Sequence, residues 1–238
     1  MDFLDLTLPS PAENLALDEA LLLEAESGRG NQVLRIWEWP KPAVVLGAGC
    51  VLVDDVDEAA CTADGVPILR RSSGGGTVLL GNGCLCYSLV LSYGLASELT
   101  DVRSSYGYIH EKIREGLNGI VPGVELAGIS DLAVGGRKFS GNAQQRKRTH
   151  LLHHGTILYE FDLSQVGRYL RVPQKQPDYR QRRAHDLFLV NLRSQKSDIA
   201  ELLRSVWECD TRGSAIPSLC VSELVGSKYS KREWVIRR

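Results

Sequence analysis

Apolar and polar positions along this chain follow two periods, and the switches between them mark out its elements. Ser10-Pro11-Ala12-Glu13 is a helix start: Ser10 caps, Pro11 suits the first turn, and Glu13 completes a capping box. Leu15, Ala16, Leu17, Ala20, Leu21 and Leu23 extend it as a largely buried helix that should stop near Gly28. Residues 33–39 then read as a strand. Ala43-Val44-Val45-Leu46 is a continuous apolar run, as expected of a strand covered on both faces. A helix is predicted over 55–64, and strands over 66–69, 77–80 and 84–92, with Gly81-Asn82-Gly83 as a turn. Further on, the pattern predicts a helix at 105–117, a strand at 124–126, a hairpin at 131–140 and a strand at 156–161. A helix over 162–170 follows, then a polar loop at 174–186, a short strand at 187–192, and helices at 197–207 and 218–225.

The strands fall in adjacent hairpin-like groups, with helices between and around them. This arrangement predicts an α+β fold with mixed or antiparallel sheets rather than a doubly wound parallel one. The 238 residues are read as one domain over 1–238, with no internal repeat. Net charge is −1, from 28 basic and 29 acidic side chains, which gives no global reason to expect nucleic acid or membrane as a partner. Two local clusters are basic, Arg137 to Arg148 and Lys175 to Arg183. They fit either solvated loops or a cationic rim for phosphates or an acidic partner. The N-terminus has no signal-peptide pattern, and the six cysteines lack CxxC spacing, so free thiols and a cytoplasmic setting are expected.

Two stretches carry the candidate chemistry. In RRSSGGGTV, from Arg70 to Val78, three glycines permit positive φ and bring bare backbone close to a ligand or another strand. No Lys-Ser or Lys-Thr follows as in a P-loop, and an apolar strand rather than a helix comes next, unlike a dinucleotide fingerprint. In SDLAVGGRKFSGNAQ, Gly135-Gly136 forms a two-residue hairpin turn. Simple alternation then opposes Val134 to Arg137, Ala133 to Lys138, Leu132 to Phe139 and Asp131 to Ser140. Asp131, Ala133, Lys138 and Ser140 would share one face, and Leu132, Val134 and Phe139 the other. The polar face fits an exposed hairpin with a surface ion pair or a lysine aimed at an anionic substrate. His153-His154-Gly155-Thr156 opens the following strand.

RRSSGGGTV, GGRKFSGNAQ and HHGTIL, in that order, together resemble the lipoate–protein ligase family. PAENLALDEALL, RIWEWPKPAVVLG and the closing KYSKREW extend the likeness over nearly the whole chain. The resemblance implies the biotin/lipoate ligase type of catalytic domain and a two-step reaction. Lipoate and ATP with Mg²⁺ give lipoyl-adenylate, and the acyl group then passes to a lysine of a lipoyl domain. Such domains occur in the E2 of 2-oxoacid dehydrogenases and in the glycine-cleavage H protein. The resemblance assigns the catalytic role to Lys138. Substrate and nucleotide contacts fall to Arg70, Ser72, Gly74, Gly75, Gly76, Thr77, Asp131, Gly136, Ser140, Gly141, His154 and Gly155. Asp131 would also meet Mg²⁺ through ATP, and Val44, Leu46, Val78 and Leu79 would line the acyl pocket.

The chain ends near where long ligases begin a C-terminal accessory domain. A catalytic domain without that part is expected, and a separate accessory subunit would be needed if adenylation requires one. A rival reading within the superfamily is an octanoyltransferase, which takes octanoate from an acyl carrier protein through a cysteine thioester; Cys50 is the nucleophile to test. A third is a non-catalytic subunit that binds lipoate or a lipoyl domain.

Overall fold

The computed structural model describes residues 1–209 and 215–237. Its centre is a seven-stranded mixed sheet in the order β1-β2-β6-β10-β9-β8-β7. The strands are β1 (Asp2–Asp5), β2 (Val33–Trp37), β6 (Cys84–Ser92), β7 (Val124–Ala127), β8 (Asp131–Val134), β9 (Arg137–Arg146) and β10 (His150–Leu158). A second sheet of three short strands, β4-β3-β5, comprises β3 (Ala43–Leu46), β4 (Ile68–Arg70) and β5 (Val78–Leu80). β1 and β2 run parallel, as do β3 and β4; the other pairings are antiparallel. The α+β class follows directly.

Each face of the large sheet has its own core. One face packs against α1 (Pro11–Glu26) and the small sheet, burying Leu17, Leu22, Val33, Val44, Leu46, Val90 and Leu152. The helices α2 (Leu52–Asp55) and α3 (Glu58–Ala63) lie on that side. The other face buries Leu34, Leu85, Leu89, Phe139 and Leu151 beneath α4 (Val102–Asn118), which packs on α7 (Lys196–Val206). Between β10 and α7 come α5 (Val166–Tyr169) and α6 (His185–Phe188). The chain continues through α8 (Ser218–Leu224) and α9 (Arg232–Val235). Ser10 caps α1 as its sequence requires, accepting the Glu13 N–H at 3.2 Å.

Several elements differ from the sequence expectation. The predicted helix at 55–64 is two short helices, because Val56 is extended and bridges Leu170. The strand expected at 156–161 begins at His150, so both histidines of the HHGT stretch lie inside β10. The strand expected at 187–192 is replaced by α6; only Leu189 keeps a bridge, to Lys138. β1 has too few residues for periodicity to reveal.

The hairpin matters most. Gly135 and Gly136 both have positive φ, +56° and +68°, as a tight hairpin turn demands. Val134 pairs with Arg137 and Ala133 with Lys138, but a bulge then intervenes. Leu132 faces Ser140 and Asp131 faces Gly141, leaving Phe139 as the extra residue. The bulge moves Ser140 to the opposite face from Lys138 and sets a glycine beside Asp131 instead.

Candidate active site

Cross-strand partners in an antiparallel sheet share a face. Asp131 of β8, Gly141 of β9, Thr156 of β10, Cys86 of β6 and Trp37 of β2 form one such row across five strands. All five line a narrow cavity of about 120 Å³ between the large sheet, α1 and the glycine turn. Leu15, Val45, Val78 and Leu80 add apolar wall. A wider cavity of about 480 Å³ adjoins it, bounded by α5, α6 and residues 171–180; its cations include Arg171, Lys175 and Arg180. The two cavities share Gly76, Thr77, Val78, Ser130, Asp131, Lys138, Gly141 and Thr156. Lys138 therefore stands where they meet.

The Lys138 Nζ lies 2.8 Å from Asp131 Oδ1, and the lysine side chain is a quarter exposed. The other carboxylate oxygen, Asp131 Oδ2, accepts a hydrogen bond from Tyr179 at 2.7 Å. Burial first, then the adjacent Asp131 charge, push the Tyr179 phenol well up, so it stays a donor. Gly141 leaves room for the ammonium: a Cβ there would come within 2.6 Å of Lys138 Nζ. Gly155 is equally constrained, since a Cβ would sit 1.8 Å from Asn142 Oδ1. That oxygen accepts the Tyr87 hydroxyl at 2.6 Å, across the gap the missing side chain leaves.

The glycine turn approaches another strand closely. Gly75 has φ +80°, and its carbonyl lies 1.9 Å from where a Cβ on Gly47 would stand. Only glycine fits at position 47. Arg71 gathers the turn from within, donating to Gly74 O at 2.5 Å, Gly76 O at 2.8 Å and Ser73 Oγ at 3.0 Å. Burial lowers its guanidinium to about 10, and among the described residues no carboxylate forms an ion pair with it. His154 joins this network: Nε2 is 2.5 Å from Ser73 Oγ, and Nδ1 is 3.5 Å from Asp18 Oδ2. Burial opposes ionisation of Asp18, but Arg35, 2.6 Å away and itself buried, holds the carboxyl below its usual range.

Gly75, Gly76, Thr77, Asp131, Lys138, Gly141, His154 and Gly155 all line the narrow cavity. Arg70 does not. Successive residues at a strand end point to opposite sides, and Arg70 turns toward the C-terminal segment. It donates to Val235 O at 2.6 Å, Gly47 O at 2.8 Å and Cys50 O at 2.7 Å. Ser72 bonds Gln145, which reaches Glu19. Gly74 gives its carbonyl to Arg71, and Gly136 sits at the hairpin tip with its carbonyl on Arg183 at 2.9 Å. Ser140 is buried beside Asn142. Cys50 lines neither cavity; its Sγ is 3.4 Å from Gly75 O. Of the four expected wall residues, Val78 lines both cavities and Leu79 the wide one, whereas Val45 and Leu80 stand where Val44 and Leu46 were expected. Sequence reasoning missed Trp37, Asn142 and Tyr179, and the resemblance assigned the contact to Arg70 rather than to Arg71. Arg71 had a signal, since it is the second of two adjacent arginines.

Residues 10–206 match the model of the lipoyl protein ligase A/B catalytic domain. The chain belongs to that family. One relative, octanoyltransferase LipM of Carboxydothermus hydrogenoformans, is 30% identical over 99% of this chain and 98% of its own length. A probable lipoate-protein ligase A of Mycoplasma pneumoniae is 30% identical over 68% of this chain and 46% of its own. Among solved structures, the bipartite lipoate protein ligase studied with its E2 lipoyl domain from Thermoplasma acidophilum has a similar fold. Its TM-score is 0.82 at 23% identity, covering 99% of this chain and 96% of that one. A lipoate-protein ligase A bound with ATP gives 0.79 at 24% identity, covering 99% of each chain. Family membership makes the chain an enzyme of lipoate or octanoate attachment, and the two chemistries divide its relatives.

Proposed function

We propose that this chain is an ATP-dependent lipoate–protein ligase that activates a C8 acid at Lys138 and passes it to a lysine of a lipoyl domain. The observation that carries the reading is the position of Lys138 between a narrow apolar cavity and a wide cationic one. Adenylation must hold a carboxylate against a polyphosphate, and a fixed ammonium between two compartments neutralises both.

The narrow cavity fits the acid. From Gly141, beside Lys138, the row runs three strand spacings to Trp37, about 14 Å at about 4.8 Å each. That span accommodates an extended eight-carbon chain, with its terminal atoms against Cys86 and Trp37. Burying seven methylene or methyl groups stabilises the complex by about 5–6 kcal/mol before association costs are subtracted. Arg71, buried and without a carboxylate partner among the described residues, adds positive potential at the glycine turn.

The wide cavity fits ATP as second substrate, with Arg171, Lys175 and Arg180 in its wall. Among the described residues no group of three or more His, Cys, Asp or Glu gathers as a metal cage. A Mg²⁺ ion would therefore take most of its ligands from phosphate oxygens and water. Asp131 and Asp55, which both line this cavity, would hold it, and when bound it would neutralise phosphate charge. In the first step a carboxylate oxygen bonds to the α-phosphorus and pyrophosphate leaves. In the second the acceptor amine attacks the acyl carbon, AMP leaves, and the amine gives up a proton. Lys138 steadies the carboxylate in the first step and polarises the carbonyl in the second.

The octanoyltransferase reading is favoured by the LipM relative that spans nearly the whole chain. It needs a cysteine poised as thiolate. Burial first pushes up both candidates, the Cys86 thiol in the narrow cavity wall and the Cys50 thiol against the glycine turn. Neither is positioned for easy ionisation. Cys50, Cys61, Cys84, Cys86 and Cys220 are free thiols, and no helix among the described residues is long and apolar enough to cross a membrane. A cytoplasmic setting and one catalytic domain over 1–238 belong to the same proposal.

The test is incubation with an apo lipoyl domain and either lipoate with MgATP or octanoyl-carrier protein without ATP, read by intact mass. Modification only in the first mixture supports the ligase. Modification only in the second, abolished by a cysteine-to-serine change, establishes the transferase. C8 acid binding without turnover in either mixture identifies a binding subunit.

A further inference from the structure

Asp131 holds the Lys138 ammonium with one oxygen and the Tyr179 hydroxyl with the other, at 2.8 and 2.7 Å. Tyr179 belongs to the polar stretch 174–186, which none of the recognised motifs includes. That stretch is fastened to the β8–β9 hairpin and its approaches at several points. The Tyr179 ring rests where a Cβ on Gly128 would meet it at 3.5 Å, and Pro177 would be met at 3.3 Å. Arg183 donates to Gly136 O at 2.9 Å and to Tyr179 O at 2.7 Å. Behind it, the Tyr179 ring packs on Phe188 at 5.2 Å between centroids. Gln181 and Arg182 follow with φ of +52° and +57°, a left-handed conformation that non-glycine residues rarely adopt. Surrounding contacts hold the segment in that shape.

We infer that Tyr179 is a positioning residue, aiming Lys138 by fixing the rotation of the Asp131 carboxylate. A carboxylate with one oxygen pinned by a neutral donor has one orientation to offer; unpinned, it turns about its terminal torsion, and the ammonium follows. The bond spans the edge of the wide cavity, whose wall includes Gln176, Pro177 and Arg180 from the same stretch. An occupant of that cavity would touch the segment that carries Tyr179, which would couple nucleotide occupancy to lysine orientation.

This inference rests on the acyl-transfer reading above, and its test separates the two. Tyr179→Phe, Asp131→Asn and the double variant are compared with the unmodified chain in pyrophosphate exchange and single-turnover acyl transfer. Tyr179→Phe keeps the ring that packs on Gly128 and Phe188, so the fold should persist. Circular dichroism checks this, and rates are taken below any shifted melting range. The expected result is a fall in kcat of roughly 5–20-fold for Tyr179→Phe, with KM for the acid within twofold. In the Asp131→Asn background the tyrosine change should add nothing, because its route to Lys138 is already cut. Unchanged kcat in Tyr179→Phe, or losses that multiply in the double variant, would overturn the inference while leaving the ligase reading intact. No turnover in the unmodified chain by either route would overturn both.

Discussion

The two faces of the large sheet are built from the same strands and end in opposite states. Toward α4, leucines from β2, β6 and β10 interdigitate with Ile109, Ile113 and Leu117, and the face closes. Toward α1, the row from Asp131 to Trp37 leaves a trough, because Gly141 contributes no side chain and the glycine turn covers the strands with backbone. Polar groups divide in the same way. The closed face buries His110 and His153, with ring centroids 5.2 Å apart, as neutral packing groups. The open face holds Arg71, Asp18 and Arg35 charged, in a hydrogen-bonded frame around the cavity. One face gives stability; the other spends packing on a site.

That contrast fixes what each substitution should do. The largest effect belongs to the open face. Lys138→Ala should lower acyl-adenylate formation and transfer by roughly a thousandfold or more, in line with loss of a main transition-state charge contact. Its melting temperature should barely move, because a partly exposed ion pair is worth about 0–1 kcal/mol. Retained transfer in this variant would break the assignment of the lysine.

The closed face should answer to acid instead. Burial holds the His110 imidazole down to about 4, and burial together with His110 holds His153 well below its ordinary value. An unfolded chain protonates both near pH 6.5. Below that pH the unfolded state binds more protons, so stability falls on acidification through the window down to the folded values. For His110 alone the loss by pH 4 is roughly 3 kcal/mol, at about 1.4 kcal/mol per pH unit. Urea midpoints between pH 7 and 4.5 measure it, and His110→Leu should flatten the curve. A flat curve in the unmodified chain would mean that these rings are solvated.

A smaller change should sharpen the length argument. Trp37→Ala removes the end of the row and should shift the preference from C8 toward C10–C12 acids by about tenfold, consistent with about 0.8 kcal/mol per buried methylene. Competition between acids, read by mass, reports the ratio. Smallest of all, Cys50→Ser should leave lipoate transfer within twofold, since that side chain lies against the Gly75 carbonyl, Asp55 and Thr77 and lines neither cavity.

Local chemistry made the outlines legible. The Ser10 cap, the Gly135-Gly136 turn and the continuous apolar run of β3 each act within a few residues, and each element formed as its signal requires. The bulge at Phe139 could not be read, because a Phe inserted opposite Leu132 depends on a core that only the folded sheet supplies. Arg71 takes the place expected of Arg70 for a similar reason. Which of two adjacent arginines meets the site depends on a C-terminal segment whose Val235 carbonyl claims the first. Tyr179 was out of reach altogether, because it meets Asp131 across 48 residues through a loop with no period.

The most direct measurement is the structure of the chain crystallised with octanoate or lipoate. The account predicts the carboxylate within about 3 Å of Lys138 Nζ, with the alkyl chain laid over Thr156 and Cys86 and ending against Trp37. An acid lodged in the wide cavity, or one whose carboxylate points away from Lys138, would contradict it.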